Sequence, residues 1–131
     1  MSKHSVSNIY LHIVFVIKYR RKVLTSQILN IIQSIFRQVC LDYFSELIEF
    51  EGETDHIHLL VKIVPTVKVS DLVRSLKVRT SDYILNLEIP EVRKSLWANH
   101  LWSSGYYVSS VGNTSIDVIK NYIRNQNSPR M

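Results

Sequence analysis

Two histidines at a spacing of two residues are the first side chains in this sequence that could support metal chemistry. His56 and His58 begin the β-rich run His-Ile-His-Leu-Leu-Val-Lys-Ile-Val at 56–64. Alternate residues of a strand project from the same face, so both imidazoles point the same way. Neutral imidazole nitrogens bind divalent cations. The pair is therefore a candidate metal site, although two solvated polar residues on a half-buried strand have the same spacing.

A tyrosine and a glutamine near the end of the chain form a second candidate group. Tyr122 and Gln126 are four residues apart, which places them on one face of a predicted helix. They flank an apolar stripe of Ile116, Ile119 and Ile123 that would dock the helix. A phenol can attack phosphorus when a metal and basic groups offset the developing charge. A structural tyrosine with its hydroxyl in water is the alternative interpretation.

Hydrophobic periodicity predicts the elements that must position these side chains. Residues 8–18 alternate and are apolar on both faces, which indicates a strand buried on both sides. Further strands are predicted at 46–51, at 56–64 up to Pro65, and near 101–109. Three helices are also predicted. The order of elements is therefore strand, helix, strand, strand, helix, strand, helix.

The three helices are predicted from their apolar stripes and caps. The first begins at Thr25 or Ser26 and ends near Tyr43, with an apolar stripe of Ile28, Ile31, Ile32, Ile35, Phe36, Val39 and Cys40. The second has Ser70 as its cap and an inner face of Leu72, Val73, Leu76, Tyr83, Ile84 and Leu87. The last runs from a capping-box-like start at Thr114 to about Gln126. Residues 88–100, around Pro90, are predicted to be irregular.

This order predicts an α+β fold of the ferredoxin-like (split βαβ, RRM-like) class, with an antiparallel sheet and helices on one of its faces. The open face is a candidate docking place for the extra C-terminal helix. The 131 residues contain no internal repeat and predict a single domain over 1–131.

The charge of the chain is unevenly distributed. The formal net charge is +5, yet six acidic residues and no Lys or Arg lie between Asp42 and Asp55. Outside that stretch sixteen Lys and Arg residues face five Asp and Glu, a net charge of +11. The densest positive segment is Lys-Tyr-Arg-Arg-Lys at 18–22. Such a surface suits a polyanion, although net charge alone is equally compatible with a solubilising surface.

Other features of the composition exclude several classes of protein. The single Cys40 excludes an internal disulfide and a cysteine-based zinc site, and fits a reducing compartment. No segment approaches the roughly 20 apolar residues of a membrane span. The run 9–17 is interrupted by His12 and lacks a small-residue cleavage site, so it is not expected to be a signal peptide. We expect a small, soluble, intracellular domain.

Four ordered motifs together resemble a known family. The segment Asp-His-Ile-His-Leu-Leu at 55–60 is similar to the His-hydrophobe-His signature of the HUH single-strand DNA endonucleases. The segment at 118–126 resembles the nucleophile helix of their single-tyrosine transposases, the small enzymes of bacterial and archaeal insertion sequences that move as single strands. The segments 18–24 and 101–112 are similar to the family's basic segment and to its aromatic strand and hinge. The resemblance covers nearly the whole chain.

The resemblance implies a metal-dependent transposase. His56, His58 and Gln126 would hold one Mg²⁺ or Mn²⁺, and Mn²⁺ suits imidazole ligands better. Tyr122 would be the nucleophile that cleaves DNA, leaving a 5′-phosphotyrosine and a free 3′-OH. A second 3′-OH would then rejoin the strands, so no ATP is needed. The chain accordingly has no phosphate-cradling Gly-rich loop.

The resemblance also implies partners and a moving helix. Family members are homodimers whose sheets join, and residues 114–127 would be a mobile nucleophile helix that swings on a hinge at Gly112. Whether Tyr122 serves its own chain or the partner stays open. The substrate would be single-stranded DNA with subterminal hairpins, in the cytoplasm and at the nucleoid of a prokaryote. The expected phosphate contacts are Lys18, Arg20, Arg21 and Lys22, then Arg74, Lys77 and Arg79.

Three other functions each fit part of the sequence. A replication or conjugation nickase is disfavoured by the single candidate tyrosine and the lack of a helicase-sized region. A non-catalytic nucleic-acid-binding βαββαβ module would stack bases on aromatics of its central strands, and the 56–64 strand has none. A structural metal-binding domain would leave Tyr122 and the basic segment without a role.

The remaining histidines and aromatics match no chemical motif. His4, His12 and His100 are predicted to be structural or surface residues. Three aromatic residues could stack on bases or belong to the core, with the core favoured for the last of them: Tyr19, Trp97 and Trp102.

Overall fold

The computed structural model describes residues 9–96, 100–112 and 116–125. For Tyr122, in the last of these ranges, it describes the backbone only. The predictions made for Trp97, for the Thr114 cap and for Gln126 lie outside the described residues. No helix among those ranges is long and apolar enough to cross a membrane.

Four antiparallel strands form one sheet. They are β1 (Ile9–Val16), β2 (Glu46–Gly52), β3 (His56–Ile63) and β4 (Tyr107–Val111), in the spatial order β2-β3-β1-β4. Helix α1 (Ser26–Asp42) connects β1 to β2, and α2 (Val69–Asn86) lies between β3 and β4. This is the split βαβ arrangement, which confirms the predicted α+β, ferredoxin-like class.

Both connecting helices cover the same face of the sheet. Thr25 caps α1 by accepting a hydrogen bond from the backbone N–H of Ile28 at 3.2 Å. Alternate residues of the two central strands pack with α1 and α2 in one core, including Ile13, Phe15, Ile57 and Leu59. The central strands are buried on both faces, as the run of apolar residues in β1 predicts.

Two predictions about α2 were wrong. The helix begins at Val69 with Lys68 as a cap that makes no side-chain bond, so Ser70 already lies inside the first turn. Tyr83 and Leu87 are exposed, and the inner face includes Thr80 instead. Thr80 can be buried because its hydroxyl donates to the Leu76 carbonyl at 2.7 Å and accepts from the indole of Trp102 at 2.9 Å.

The region between α2 and β4 also differs from its prediction. A short helix, α3 (Pro90–Ser95), occupies part of the stretch predicted to be irregular, because proline suits the first helical position. The predicted strand near 101–109 is shorter and shifted, since regular pairing covers only β4. Trp102 still forms an isolated bridge to Ile17 and is buried, which confirms it as a core residue.

The last helix, α4 (Ile116–Asn125), packs against β2 and β3 of its own chain. Its Arg124 bonds to Glu49, and Glu49 pairs with Leu60, whose side chain shares a face with His58. The helix therefore lies on the face opposite α1 and α2, the face that the sequence analysis gives as a candidate docking place. The extent of the domain and the mobility of 114–127 remain predictions.

Candidate active site

The two motif histidines lie on the central strand β3, on the face that also carries α4. Their side chains are 1% and 2% exposed, and their ring centroids are 5.2 Å apart with the planes nearly perpendicular. Between them Ile57 points into the opposite core. The spacing of two therefore gives the same-face pair that the sequence predicts.

The Nε2 nitrogen of each of these two rings has no hydrogen-bond partner among the described residues. His56 Nε2 and His58 Nε2 are buried, and both are unsatisfied. An unsatisfied buried polar atom costs about 1–3 kcal/mol of stability, so two such nitrogens close together favour a bound ligand at this place. A divalent cation fits this donor set, because neutral imidazole nitrogens on one face can bind the same ion. Among the described ranges no group of three His, Cys, Asp or Glu side chains forms such a site.

Asp55 fixes the orientation of the first histidine. Its Oδ1 accepts a hydrogen bond from His56 Nδ1 at 2.7 Å, which leaves the Nε2 lone pair of His56 available. Its Oδ2 accepts from Arg20 Nε at 3.1 Å. Burial alone raises the pKa of Asp55, but the hydrogen bonds and positive charges of His56 and Arg20 outweigh it and lower that pKa overall.

A third histidine belongs to the same cluster. His12 on β1 is buried, and its Nε2 lies 3.1 Å from Nδ1 of His58. The two rings stack with centroids 5.3 Å apart. Sequence reasoning missed this residue, because it treated His12 as a structural or surface position. The alternation of β1 places His12 on the face opposite Ile13 and Phe15, but only the strand register brings it to His58.

Burial favours the uncharged form of two of the three rings. It lowers the pKa of His58 to about 4, and the neighbouring His12 and His56 add to that effect. Burial also lowers the pKa of His12. At neutral pH both rings are therefore uncharged, which is the form in which an imidazole nitrogen can bind a metal.

Helix α4, which carries Tyr122 in its sequence, lies on this face of the sheet. Ile123 is fully buried, and Arg124 donates to Glu49 through Nε at 3.1 Å and through a terminal nitrogen at 3.0 Å. Glu51, two residues after Glu49, pairs with His58 across the sheet. The backbone of Tyr122 is thus held in a helix that lies over β2 and over β3, the strand that carries His56 and His58. The predicted ligand Gln126 lies outside the described residues.

One of the four cationic residues of the basic segment at 18–22 forms a hydrogen bond with Asp55 of the candidate site. Residues 18–20 form a tight turn in which Tyr19 and Arg20 have positive φ of 59° and 53°. Tyr19 is 64% exposed and is flanked by Lys18 and Arg21, whose cations lie 5.5 and 6.0 Å from its ring. It is therefore not a core residue. Arg20 instead bonds to Asp55, the hydrogen-bond partner of His56.

Residues 5–126 match the family model described as "Transposase IS200 like". The chain belongs to the IS200-like transposase family.

Named relatives agree with this assignment. The transposase for insertion sequence element IS200 of Salmonella typhimurium is 32% identical over 123 residues, which cover 94% of this chain and 80% of the relative. The ISDra2 transposase TnpA of Deinococcus radiodurans is 28% identical over 115 residues, covering 88% and 81%. This chain is accordingly a DNA transposase, the class that the resemblance of its motifs implied.

Solved structures show the same fold. A crystal structure of a Deinococcus radiodurans protein matches with a TM-score of 0.72 and 26% identity, covering 96% of this chain and 95% of the other. The REP-associated tyrosine transposase bound to a REP hairpin matches with a TM-score of 0.63 over 92% of this chain and 67% of the other. Its identity of 12% makes it evidence for the fold alone.

The three predicted DNA contacts on α2 of this IS200-like transposase differ in their surroundings. Arg74 is largely exposed and lies 3.7 Å from Asp71, while Arg79 pairs with Asp42 at 3.3 Å. Lys77 donates to the Ser103 carbonyl at 2.7 Å, and burial lowers its pKa. Lys77 thus holds the loop before β4, which sequence reasoning did not anticipate.

The predicted hinge lies between β4 and α4. Gly112 is exposed, and a Cβ built on it would lie within 4 Å of no atom of the described residues other than its chain neighbours. None of the described glycines has a positive φ, so the conformation of Gly112 seen here does not itself require glycine. The hinge role of Gly112 concerns a movement of α4 to a second position, and it remains a prediction.

Proposed function

We propose that this transposase cleaves and rejoins single-stranded DNA by transesterification, with Tyr122 as the nucleophile. One observation carries the proposal. His56 and His58 present two buried, unsatisfied Nε2 atoms on the face over which the helix of Tyr122 lies. A cation site and a phenol on one surface are the parts that phosphoryl transfer by tyrosine needs.

The metal site would consist of His56, His58 and Gln126, holding one Mg²⁺ or Mn²⁺. The two imidazoles are preorganised, since Asp55 bonds to His56 and His12 bonds to His58. Mn²⁺ accepts nitrogen ligands more readily than Mg²⁺, which favours oxygen. When bound, the cation polarises the scissile phosphate and offsets the negative charge that develops on the leaving oxygen.

Tyr122 would attack the phosphorus in line with the bond to the 3′ oxygen. A Tyr Oη–P bond forms and the P–O3′ bond breaks, while the phenol loses a proton and the departing oxygen gains one. The products are a 5′-phosphotyrosine and a free 3′-OH. A 3′-OH from another DNA end then attacks the same phosphorus and releases Tyr122. One phosphodiester replaces another at each step, so no ATP is consumed.

The basic segment would bind the DNA backbone beside this centre. Lys18, Arg20, Arg21 and Lys22 supply positive charge, and the exposed ring of Tyr19 between two of them offers a stacking surface for a base. Arg74 and Arg79 extend the positive surface along α2. The substrate would be single-stranded DNA with subterminal hairpins, and a transposase of the same fold has been solved with a hairpin bound. The enzyme would act in the prokaryotic cytoplasm, on DNA of the nucleoid.

A homodimer with joined sheets would form through β4. This strand ends the order β2-β3-β1-β4, and its residues Tyr107 and Val108 are exposed. An edge strand with exposed apolar residues readily pairs with a second copy of itself. In such a dimer the helix with Tyr122 could exchange between protomers through Gly112 and serve the partner's histidines.

A strand-transfer assay tests the function. The protein is mixed with Mn²⁺ and with labelled single-stranded DNA from both ends of the element that encodes it. We expect a joined product of the length fixed by the two cleavage sites, together with a shorter strand ending in 3′-OH. A non-catalytic nucleic-acid-binding module, the alternative from the sequence, would bind the hairpin and yield neither product.

A further inference from the structure

We propose that His12 is a positioning residue of the metal site. Its Nε2 atom accepts a hydrogen bond from Nδ1 of His58 and so holds His58 in the tautomer whose Nε2 lone pair can bind the cation. This inference rests on the metal site proposed above.

The geometry of the two rings supports this role. His12 Nε2 and His58 Nδ1 are 3.1 Å apart, a normal hydrogen-bond length. The rings stack with an interplanar angle of 18°. In the β1–β3 register His58 pairs with Val14, so His12 is its diagonal neighbour on the same face. Both side chains are buried, and water therefore does not compete for the bond.

The hydrogen bond to His12 matters because it selects between the two tautomers of the His58 ring. A neutral imidazole carries its proton on one nitrogen and accepts on the other. If Nδ1 of His58 carries the proton, it donates to His12 and Nε2 is left as a lone pair. If Nε2 carries it, a buried N–H points into the site without a partner, and that nitrogen cannot bind a metal. An acceptor at His12 selects the first form.

The packing around His12 holds this acceptor in place. The ring of Tyr107 on β4 meets His12 edge-on, with centroids 5.8 Å apart. His12 thus lies between Tyr107 and His58, and its ring orientation is fixed from both sides. Asp55 plays the matching part for His56, so each candidate ligand has its own hydrogen-bond partner.

Three variants separate positioning from packing. His12→Phe keeps a flat ring of similar volume and removes the acceptor. His12→Gln places an amide oxygen near the position of Nε2 and restores an acceptor. His100→Phe makes the same chemical change at an exposed histidine outside the cluster and serves as the control.

Calorimetric titration of the DNA-free protein with Mn²⁺ gives the readout. We expect His12→Phe to weaken binding about 10- to 100-fold, as is usual when the partner of a ligating histidine is removed. His12→Gln should recover most of that loss, and His100→Phe should bind as the wild type does. Wild-type affinity in His12→Phe, or equal defects in the Phe and Gln variants, would overturn the proposal.

Nitrogen NMR of the metal-free wild type tests the tautomer directly and does not depend on how any variant folds. We expect the His58 ring to carry its proton on Nδ1, and a proton on Nε2 would overturn the proposal. The two tests also distinguish a failure of the proposed metal site from a failure of the role proposed for His12. Failure of the wild type to bind Mn²⁺ contradicts the metal site itself, while the tautomer still decides the role of His12.

Discussion

The guanidinium of Arg124 in α4 makes two hydrogen bonds to the carboxylate of Glu49 in β2, at 3.1 and 3.0 Å. The hydrogen bond and the charge of Glu49 raise the pKa of Arg124. With the buried Ile123, this pair fixes the helix of Tyr122 on the sheet of its own chain. In the position described here, the helix that carries Tyr122 therefore lies against β2 and β3 of its own chain.

Breaking that pair should release the helix. In Arg124→Glu, two carboxylates face each other, and we expect faster hydrogen exchange at the α4 amides while β3 amides stay protected. Covalent DNA adduct formation should fall. The double variant Glu49→Arg with Arg124→Glu restores the pair with reversed charges and should recover both readouts. Unchanged α4 exchange in the single variant would show that the pair does not hold the helix.

The candidate ligands should matter for chemistry more than for DNA binding. His58→Ala removes one of the two Nε2 atoms, and we expect cleavage to fall about 100-fold or more, since even the partners of metal ligands contribute 10- to 100-fold. Hairpin affinity, measured by fluorescence anisotropy, should stay close to that of the wild type. An equal collapse of hairpin affinity would mean that the histidines are structural.

Two neighbouring arginines should behave differently, because of the two only Arg20 is joined by hydrogen bonds to the proposed metal site. Arg20 bonds to Asp55, which bonds to His56, whereas Arg21 lies near the ring of Tyr19. Replacing either by Met should lower affinity for single-stranded DNA and reduce the salt slope of binding by about 0.7. Arg20→Met alone should also weaken Mn²⁺ binding. Equal Mn²⁺ affinities in the two variants would show that this hydrogen-bond chain has no influence on the metal.

The buried thiol of Cys40 should make stability sensitive to high pH. Burial raises its pKa from 9.0 to about 12, so the folded state binds the thiol proton more tightly than the unfolded state does. The resulting stability is fully present below pH 9 and is lost as the pH rises toward 12. We expect Cys40→Ala to lose less of its free energy of unfolding than the wild type over this range, measured by urea denaturation. Parallel losses in both proteins would contradict this.

The fold and the histidine pair could be predicted because they depend on local periodicity. Alternation in β3 places His56 and His58 on one face whatever the partner strand is. His12 could not be connected to them in the same way, since its contact with His58 depends on the register between two strands far apart in sequence. The same holds for Arg124 and Glu49.

The errors on α2 have a related physical cause. Helical periodicity marks apolar residues, and it assigned Tyr83 and Leu87 to the inner face. The actual interface takes in the polar Thr80, because the indole of Trp102 gives its hydroxyl a partner. A polar residue becomes a core residue only when a distant side chain satisfies it, and periodicity contains no such information.

Covalent trapping tests the central claim most directly. The wild type and Tyr122→Phe are incubated with Mn²⁺ and labelled single-stranded DNA from the element's ends, then separated on a denaturing gel. We predict a denaturation-resistant adduct with the wild type and none with Tyr122→Phe, although both proteins bind the hairpin. An adduct that survives in Tyr122→Phe, or no wild-type adduct with any element-end DNA, would contradict the assignment of Tyr122 as the nucleophile.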